Sequence, residues 1–213
     1  MAEQINSLPT RIILVRHGQT AWNREERFRG RADIELDDVG VKQAQAVANR
    51  LKQSGITGIY SSPLKRTLQT AQPIGKLGNL KVLPLDSVID VDYGYWQGLT
   101  IEEAQRRDPD IFLQWRHEPQ KVRFPHGESL KEVRSRAAIS LDQLTQDYIG
   151  QTFVIVSHIV VCRLIILHFM DLDTAHFWNI RQDNCSINTF EMREGLKIAV
   201  SINDTCHLPN KID

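Results

Sequence analysis

Cysteine is scarce in this 213-residue chain: only Cys162, Cys185 and Cys206 occur, odd in number and without metal-ligand spacing. That argues for a reducing compartment and against a disulfide framework, and the three read as buried small hydrophobes. Net charge is lacking as well. With 26 Lys and Arg against 26 Asp and Glu, the chain has no overall basic field to hold a nucleic acid, so any anion it binds must be met locally. No apolar run suffices for a membrane span, because the longest, VIVSHIVVCRLIILHFM, is broken by Ser157, His158, Arg163 and His168. The opening MAEQINSLPT has no apolar centre and reads as no signal peptide. There is no G-x-x-x-x-G-K-[ST] loop for a nucleotide, no carboxylate cluster with metal spacing, and no repeat, low-complexity tract or linker. The expectation is a cytoplasmic protein with no metal, no cofactor, no membrane and no nucleic acid.

What is present is ordinary globular composition, 41% hydrophobic and 24% charged, enough to bury one core, so residues 1–213 are read as a single domain. RIILV at 11–15 is a short β-branched strand. From Asp37 a helix follows, with Val41, Ala44, Ala48 and Leu51 on one face and Gly55 as its cap. ITGIYSS is a second strand. Ser62 then reads as an N-cap and Pro63 as the first residue of a helix, PLKRTLQTAQPIG. LKVLPL is a third strand, and Thr100 with Glu103 forms a capping box before IEEAQRRD. Leu130, Val133, Ala137, Leu141, Leu144 and Tyr148 make a long helical stripe. QTFVIVSH is a fourth strand, an apolar helix starts near Val160, and SINTFEM and LKIAVSI form a closing hairpin. Strands alternating with helices predict a three-layer α/β/α sandwich with a mostly parallel central sheet. The less periodic stretch around 90–127, rich in bulky polar and aromatic residues such as Trp96, Trp115, His117 and His126, is read as a lid.

In open α/β sheets, ligands bind beyond the carboxyl ends of the strands. The distinctive polar residues lie there: Arg16-His17-Gly18 after the first strand, Ser61-Ser62-Pro63 with Arg66 after the second, and Ser157-His158 after the fourth. Guanidinium groups match phosphoryl oxygens bidentately, and helix N-termini offer free backbone N–H groups to the same anion. A neutral imidazole among them can attack phosphorus, and neighbouring arginines favour that neutral form. Phosphoryl transfer otherwise needs positioning and charge neutralisation, which cationic side chains can provide without a metal.

LVRHGQTAWN, SSPLKRTLQTA and VSHIVVCR resemble, in order, the three signature segments of the histidine phosphatase superfamily, in its phosphoglycerate-mutase-like branch. GRADIELDDVGVKQAQ, VDYGYWQGLT, PHGESL and INDTCHL are similar to further segments of that family, so the resemblance spans nearly the whole chain. It implies that His17 is a phosphohistidine nucleophile, that Arg16, Arg66 and His158 clamp the phosphoryl oxygens, and that Asn23, the backbone near Gly30 and Ile159 complete the substrate pocket. It also implies that Asp90, four residues before Gly94, is the general acid. Two positions depart from the family pattern: Asp90 stands where glutamate is usual, and Ile159 where many members have glycine. Asp86 and Asp92 compete for the acid role, and His126 and His207 are candidates for the leaving-group pocket.

The resemblance implies a phosphomonoesterase acting on a small-molecule phosphate ester. A bisphosphoglycerate-dependent phosphoglycerate mutase and a non-catalytic phosphate-ester binding module are the alternatives. Tyr93, aromatic where an amino-acid substrate would call for a polar ligand, is a hint against phosphoserine. Arg106-Arg107 read as a solvated helix face. A homodimer is the assembly common among the family.

Overall fold

The computed structural model describes residues 8–209; the opening segment read as no signal peptide lies, up to Ser7, outside them. Six strands, β1 (Thr10–Arg16), β2 (Ile56–Ser61), β3 (Val82–Pro84), β4 (Thr152–Ser157), β5 (Ile187–Arg193) and β6 (Leu196–Asp204), form one sheet in the order β3-β2-β4-β1-β5-β6. β1 runs parallel to β4, as β2 does to β4 and β3, whereas β5 and β6 join antiparallel. The helices are α1 (Ala21–Arg24), α2 (Asp38–Leu51), α3 (Lys65–Gly78), α4 (Ile101–Arg107), α5 (Pro109–His117), α6 (Leu130–Asp147) and α7 (Ile159–Phe169).

Alternation along the central strands builds the two cores. Ile12, Leu14, Phe153 and Ile155 point to one face and pack with α6 and α7, while Ile13, Val15, Val154 and Val156 point to the other and pack with α2 and α3. The predicted three-layer sandwich is what forms. Among the described residues no helix is long and apolar enough to cross a membrane.

Several local expectations are corrected. Val41 is exposed, because Gly40, Gln43, Ala44 and Val47 face the sheet instead. Gly55 does not cap α2; that helix ends at Leu51 and Gly55 turns the chain into β2 with a φ of +64°. Ser62 and Pro63 precede α3 rather than opening it. The Ser62 backbone N–H still bonds to Val156 in the sheet, Leu64 takes the N-cap position, and the helix runs on through Pro73 to Gly78, where left-handed Asn79 stops it. Cys162 and Cys185 are buried, but Cys206 is exposed.

Residues 90–127 hold α4, α5 and 3₁₀ turns, and Tyr93, Trp96, Phe112, Trp115 and Phe124 from this stretch join the core beside α7, whereas Tyr95 is exposed. The turn at Gly94 is pinned by close backbone approach to the PHG segment. Gly94 has a φ of +52°, and a Cβ there would lie 1.9 Å from the Pro125 carbonyl oxygen; one at Gly127 would lie 2.3 Å from that of Asp92. Gly94→Ala is therefore expected to destabilise the protein by ~2–3 kcal/mol, from left-handed strain plus overpacking. A thermal melt should show a fall of roughly 4–12 °C for a chain of this size. An unchanged melting temperature would refute the close approach.

Candidate active site

The carboxyl ends of β1, β2 and β4 deliver the polar groups to one place, as parallel neighbours in a sheet must. His17 and His158, one residue past β1 and β4, have ring centroids 5.3 Å apart, and both are fully buried. The His17 backbone N–H continues the ladder to Ser157 at 2.9 Å, so the imidazole is held by the sheet itself.

The tautomer of His17 follows from its contacts. Nδ1–H donates to the Gly18 carbonyl at 2.7 Å, which leaves the Nε2 lone pair buried with no partner. Burial, then the charges of Arg66, Arg16 and Arg29, hold His17 well below the ordinary imidazole range. These effects favour the neutral ring, whose free nitrogen is Nε2.

Arg66 is fully buried and heavily engaged. Its Nε–H donates to His158 Nδ1 at 3.2 Å, Nη1 to the Ala32 carbonyl at 2.7 Å, and Nη2 to the Gly30 carbonyl at 2.8 Å and Asp90 Oδ2 at 3.1 Å. Because Nδ1 of His158 accepts, its Nε2–H is free to donate to Ser62 Oγ at 2.8 Å. That contact explains why Ser62 does not cap α3. Burial and then Arg66 hold His158, too, below its usual range.

Arg16 has more freedom. Nη1 donates to the Gln182 carbonyl at 2.6 Å, but Nε is buried without a partner. Burial, then repulsion from Arg29, brings its pKa down to about 9.

Of the three aspartates that compete for the acid role, Asp86 is exposed and Asp92 is spent on the Gly94 backbone at 2.8 Å. Asp90 is buried, with Oδ1 accepting from the Val91 N–H at 3.0 Å and Oδ2 lying 3.6 Å from His158 Nδ1. Burial raises its pKa, and the charges of Arg66 and Arg29 oppose that rise without cancelling it.

Asn23 holds the start of α1, its Oδ1 accepting from the Thr20 N–H at 3.0 Å, and it lines an adjoining cavity of about 340 Å³ together with Tyr93 and Ile159. Gly30 contributes its carbonyl, turned to Arg66. Neither His126 nor His207 lines that cavity: His126 lies 4.2 Å from the Tyr95 ring, and His207 bonds to the Cys185 carbonyl at 3.0 Å. Arg106 and Arg107 are exposed, as read.

Two residues, Arg29 and Asn184, escaped the sequence reading, and a third, Ser62, was placed at the strand ends without the partner it has there. Arg29 acts electrostatically on His17, Arg66, Asp90 and His158, and its Nε is buried and unpartnered. Asn184 donates to the His17 carbonyl at 3.2 Å, and Ser62 holds His158. Arg29 sits directly before Gly30, a position already singled out, so adjacency was the one available signal.

A buried neutral imidazole ringed by arginines, at the carboxyl ends of a parallel sheet, defines an α/β protein built to handle a phosphoryl group. Residues 12–205 match the family model of the histidine phosphatase superfamily (branch 1), and the chain belongs to that family. It is 38% identical over 198 residues to phosphoserine phosphatase 1 of Hydrogenobacter thermophilus, covering 93% of this chain and 94% of that one. It is 31% identical over 208 residues to the metal-independent phosphoserine phosphatase of Arabidopsis thaliana, covering 96% and 86%. A histidine-to-alanine mutant of phosphoserine phosphatase from Entamoeba histolytica, in complex with phosphoserine, superposes with a TM-score of 0.85 at 31% identity over 94% of this chain and 100% of that one.

Proposed function

We propose that this chain is a phosphomonoesterase that hydrolyses a small phosphorylated metabolite through a phosphohistidine on His17. The observation that carries the reading is the free Nε2 of His17, buried among arginines and fixed as an acceptor by the Gly18 carbonyl. Nε2 attacks phosphorus, the ester P–O bond breaks, and the Asp90 carboxyl gives its proton to the departing alcohol oxygen. Water then attacks the phosphohistidine, its proton passes to the Asp90 carboxylate, and the N–P bond breaks to release inorganic phosphate.

Arg16 and Arg29, whose Nε–H groups have no protein partner, are the best placed to bind phosphoryl oxygens; Arg66, with four of its five N–H groups committed, adds charge and one further donor. His158 joins the clamp by exchanging Ser62 for a phosphoryl oxygen. Asn23, Gly30 and Ile159 border the bound ester. The described residues are read as one functional domain, with 90–127 as a lid over the strand ends, working in the cytoplasm and compatible with a homodimer.

Phosphoserine, named for the relatives above, is the first ester to test, followed by a panel of phosphorylated metabolites. Release of inorganic phosphate is expected to survive a strong chelator and to be inhibited by vanadate, which resembles five-coordinate phosphorus. An absolute magnesium requirement would refute a clamp made of side chains. Incubation with 3-phosphoglycerate and a trace of 2,3-bisphosphoglycerate checks the mutase alternative: appearance of 2-phosphoglycerate faster than phosphate release from any ester would overturn the hydrolase reading.

A further inference from the structure

An aspartate side chain is short, so the place of the proton that Asp90 gives is set largely by its backbone. That backbone lies in neither a helix nor a strand. The successive carbonyls that lead to the acid are nevertheless all taken, each by a side chain. Ser157 Oγ donates to the Val88 carbonyl at 2.8 Å, and Arg136, in the second turn of α6, donates to those of Ser87, Ile89 and Asp90.

Arg136 is fully spent on this task. Its Nη1 donates to the Ser87 carbonyl at 2.6 Å and the Ile89 carbonyl at 2.7 Å, and its Nη2 to the Asp90 carbonyl at 3.1 Å. The remaining N–H groups meet Glu128, Nε at Oε1 and Nη2 at Oε2, each at 3.0 Å. Every donor of the guanidinium fork is thereby committed, to one carboxylate and to the segment that bears the acid. Arg136 does not line the cavity beside His17, so any effect it has on the reaction passes through the residues it holds.

Glu128 extends the anchor past the acid. Its Oε2 accepts from the Asp92 N–H at 3.0 Å, its own N–H donates to the Asp92 carbonyl at 2.9 Å, and Oε1 lies 3.2 Å from Arg31 Nη2. Arg31 directly follows Gly30, whose carbonyl orients Arg66. Burial alone would raise the Glu128 pKa, but the bonds from Arg136 and the Asp92 N–H outweigh it and bring it below the ordinary value, which keeps the carboxylate charged. The pair is part-buried, the Arg136 and Glu128 side chains being 21% and 18% exposed, and so is less screened than an ion pair on the open surface. One ion pair thus fixes the chain on both sides of Asp90.

We propose that Arg136, braced by Glu128, is a positioning residue that sets Asp90 against the leaving oxygen by holding the backbone of residues 87–90. The proposal rests on the phosphomonoesterase reading, with Asp90 as its acid, and deepens it. Arg66 and Arg136 divide the placement between them: Arg66 bonds to the carboxylate, and Arg136 holds the chain that carries it. A guanidinium suits the second role because its planar fork reaches three carbonyls and a carboxylate at once, which the single ammonium of a lysine does not.

The test measures kcat/KM for 4-nitrophenyl, phenyl and benzyl phosphate, whose leaving groups need a proton increasingly in that order, in the wild type, Arg136→Gln, Arg136→Lys, Asp90→Asn and the double variant of Arg136→Gln with Asp90→Asn. With benzyl phosphate Arg136→Gln should lose ~10- to 100-fold, the scale on which misplacing a catalytic group by about 1 Å acts. The loss should shrink toward 4-nitrophenyl phosphate, and Arg136→Lys should show the same gradation with a smaller loss. In the Asp90→Asn background, where no acid is left to place, Arg136→Gln should add little. A loss of one size for all three esters, as a merely structural role would give, overturns the proposal; so does a full further loss in the double variant. Should Arg136→Gln fail to fold, the gradation in Arg136→Lys decides by the same criterion. A loss in Asp90→Asn that is equal for all three esters would overturn the acid role of Asp90 and this proposal with it, and release of no phosphate from any of them by the wild type would overturn the phosphomonoesterase reading itself.

Discussion

His17→Ala is expected to reduce hydrolysis of every ester by ~10⁵-fold or more, the scale on which removal of a covalent nucleophile acts. No other group near the site can replace it. Both nitrogens of His158 are occupied, by Arg66 and Ser62, and the Cys162 thiol is buried with its pKa pushed up by burial. Rapid quench with a labelled ester should trap acid-labile, base-stable phosphate on the wild type and none on the variant; equal labelling of both would sink the assignment. The pH profile gives a second check. The reactive imidazole is the deprotonated form, and its folded pKa is depressed by burial and by Arg66 and Arg16. Activity should consequently persist as pH falls through 6.5, the ordinary imidazole value, and be lost only well below it.

Asp90→Asn is expected to lose ~10²–10⁴ in kcat/KM with alkyl phosphates, the usual range for general acid catalysis. Aryl phosphates, whose leaving groups need less help from a proton, should lose less. The acid form of Asp90 is the one that donates, and burial raises its pKa above the ordinary aspartate value. Alkyl-ester turnover should therefore decline as pH rises through that raised pKa, and the alkaline limb should vanish in Asp90→Asn. A loss that does not depend on leaving-group pKa would move the acid role elsewhere, with His158 the nearest candidate at 3.6 Å from the Asp90 carboxylate.

Replacing the usual glutamate by Asp90 is compensated in part by its surroundings. The shorter carboxylate is gripped by Arg66 Nη2 and the Val91 N–H, so its position is determined by Arg66, which in turn is oriented by the Gly30 and Ala32 carbonyls and by His158. The family resemblance put Arg66 and His158 in the clamp, Gly30 in the pocket and Asp90 apart as the acid; in the folded chain Arg66 bonds to the other three.

Much of the site was legible because it is written in short segments. Arg16 ends β1 and His17 follows it, Arg66 falls in the first turn of α3, and His158 follows β4, so placing the strands put all four at one edge of the sheet. The alternation of Ile12 to Val15, buried on both faces, likewise declared a sheet covered by helices. Val41 and the start of α3 were misread for a common reason: hydrophobic period and capping preference are local signals, and in both places a tertiary partner outbid them. Gln43, buried on α2, accepts from the Gln19 backbone at 2.9 Å, and Ser62 turns to His158 instead of the helix end.

The sequence by itself determined the layer order and which polar side chains stand at the strand ends, because these depend on residue type and on position next to a strand. Only the tertiary structure decided which atoms are free. That Nε2 rather than Nδ1 of His17 is available follows from the Gly18 carbonyl; that Arg16 and Arg29 retain unpartnered Nε–H groups while Arg66 is largely committed follows from backbone carbonyls on distant segments. Spacing to Gly94 had pointed to Asp90, but that it is buried while Asp86 is exposed depends on what packs around each carboxylate, which only the fold supplies. Arg29 became visible for the same reason: its Nε is buried without a partner beside His17 and Arg66 only because the chain folds it there.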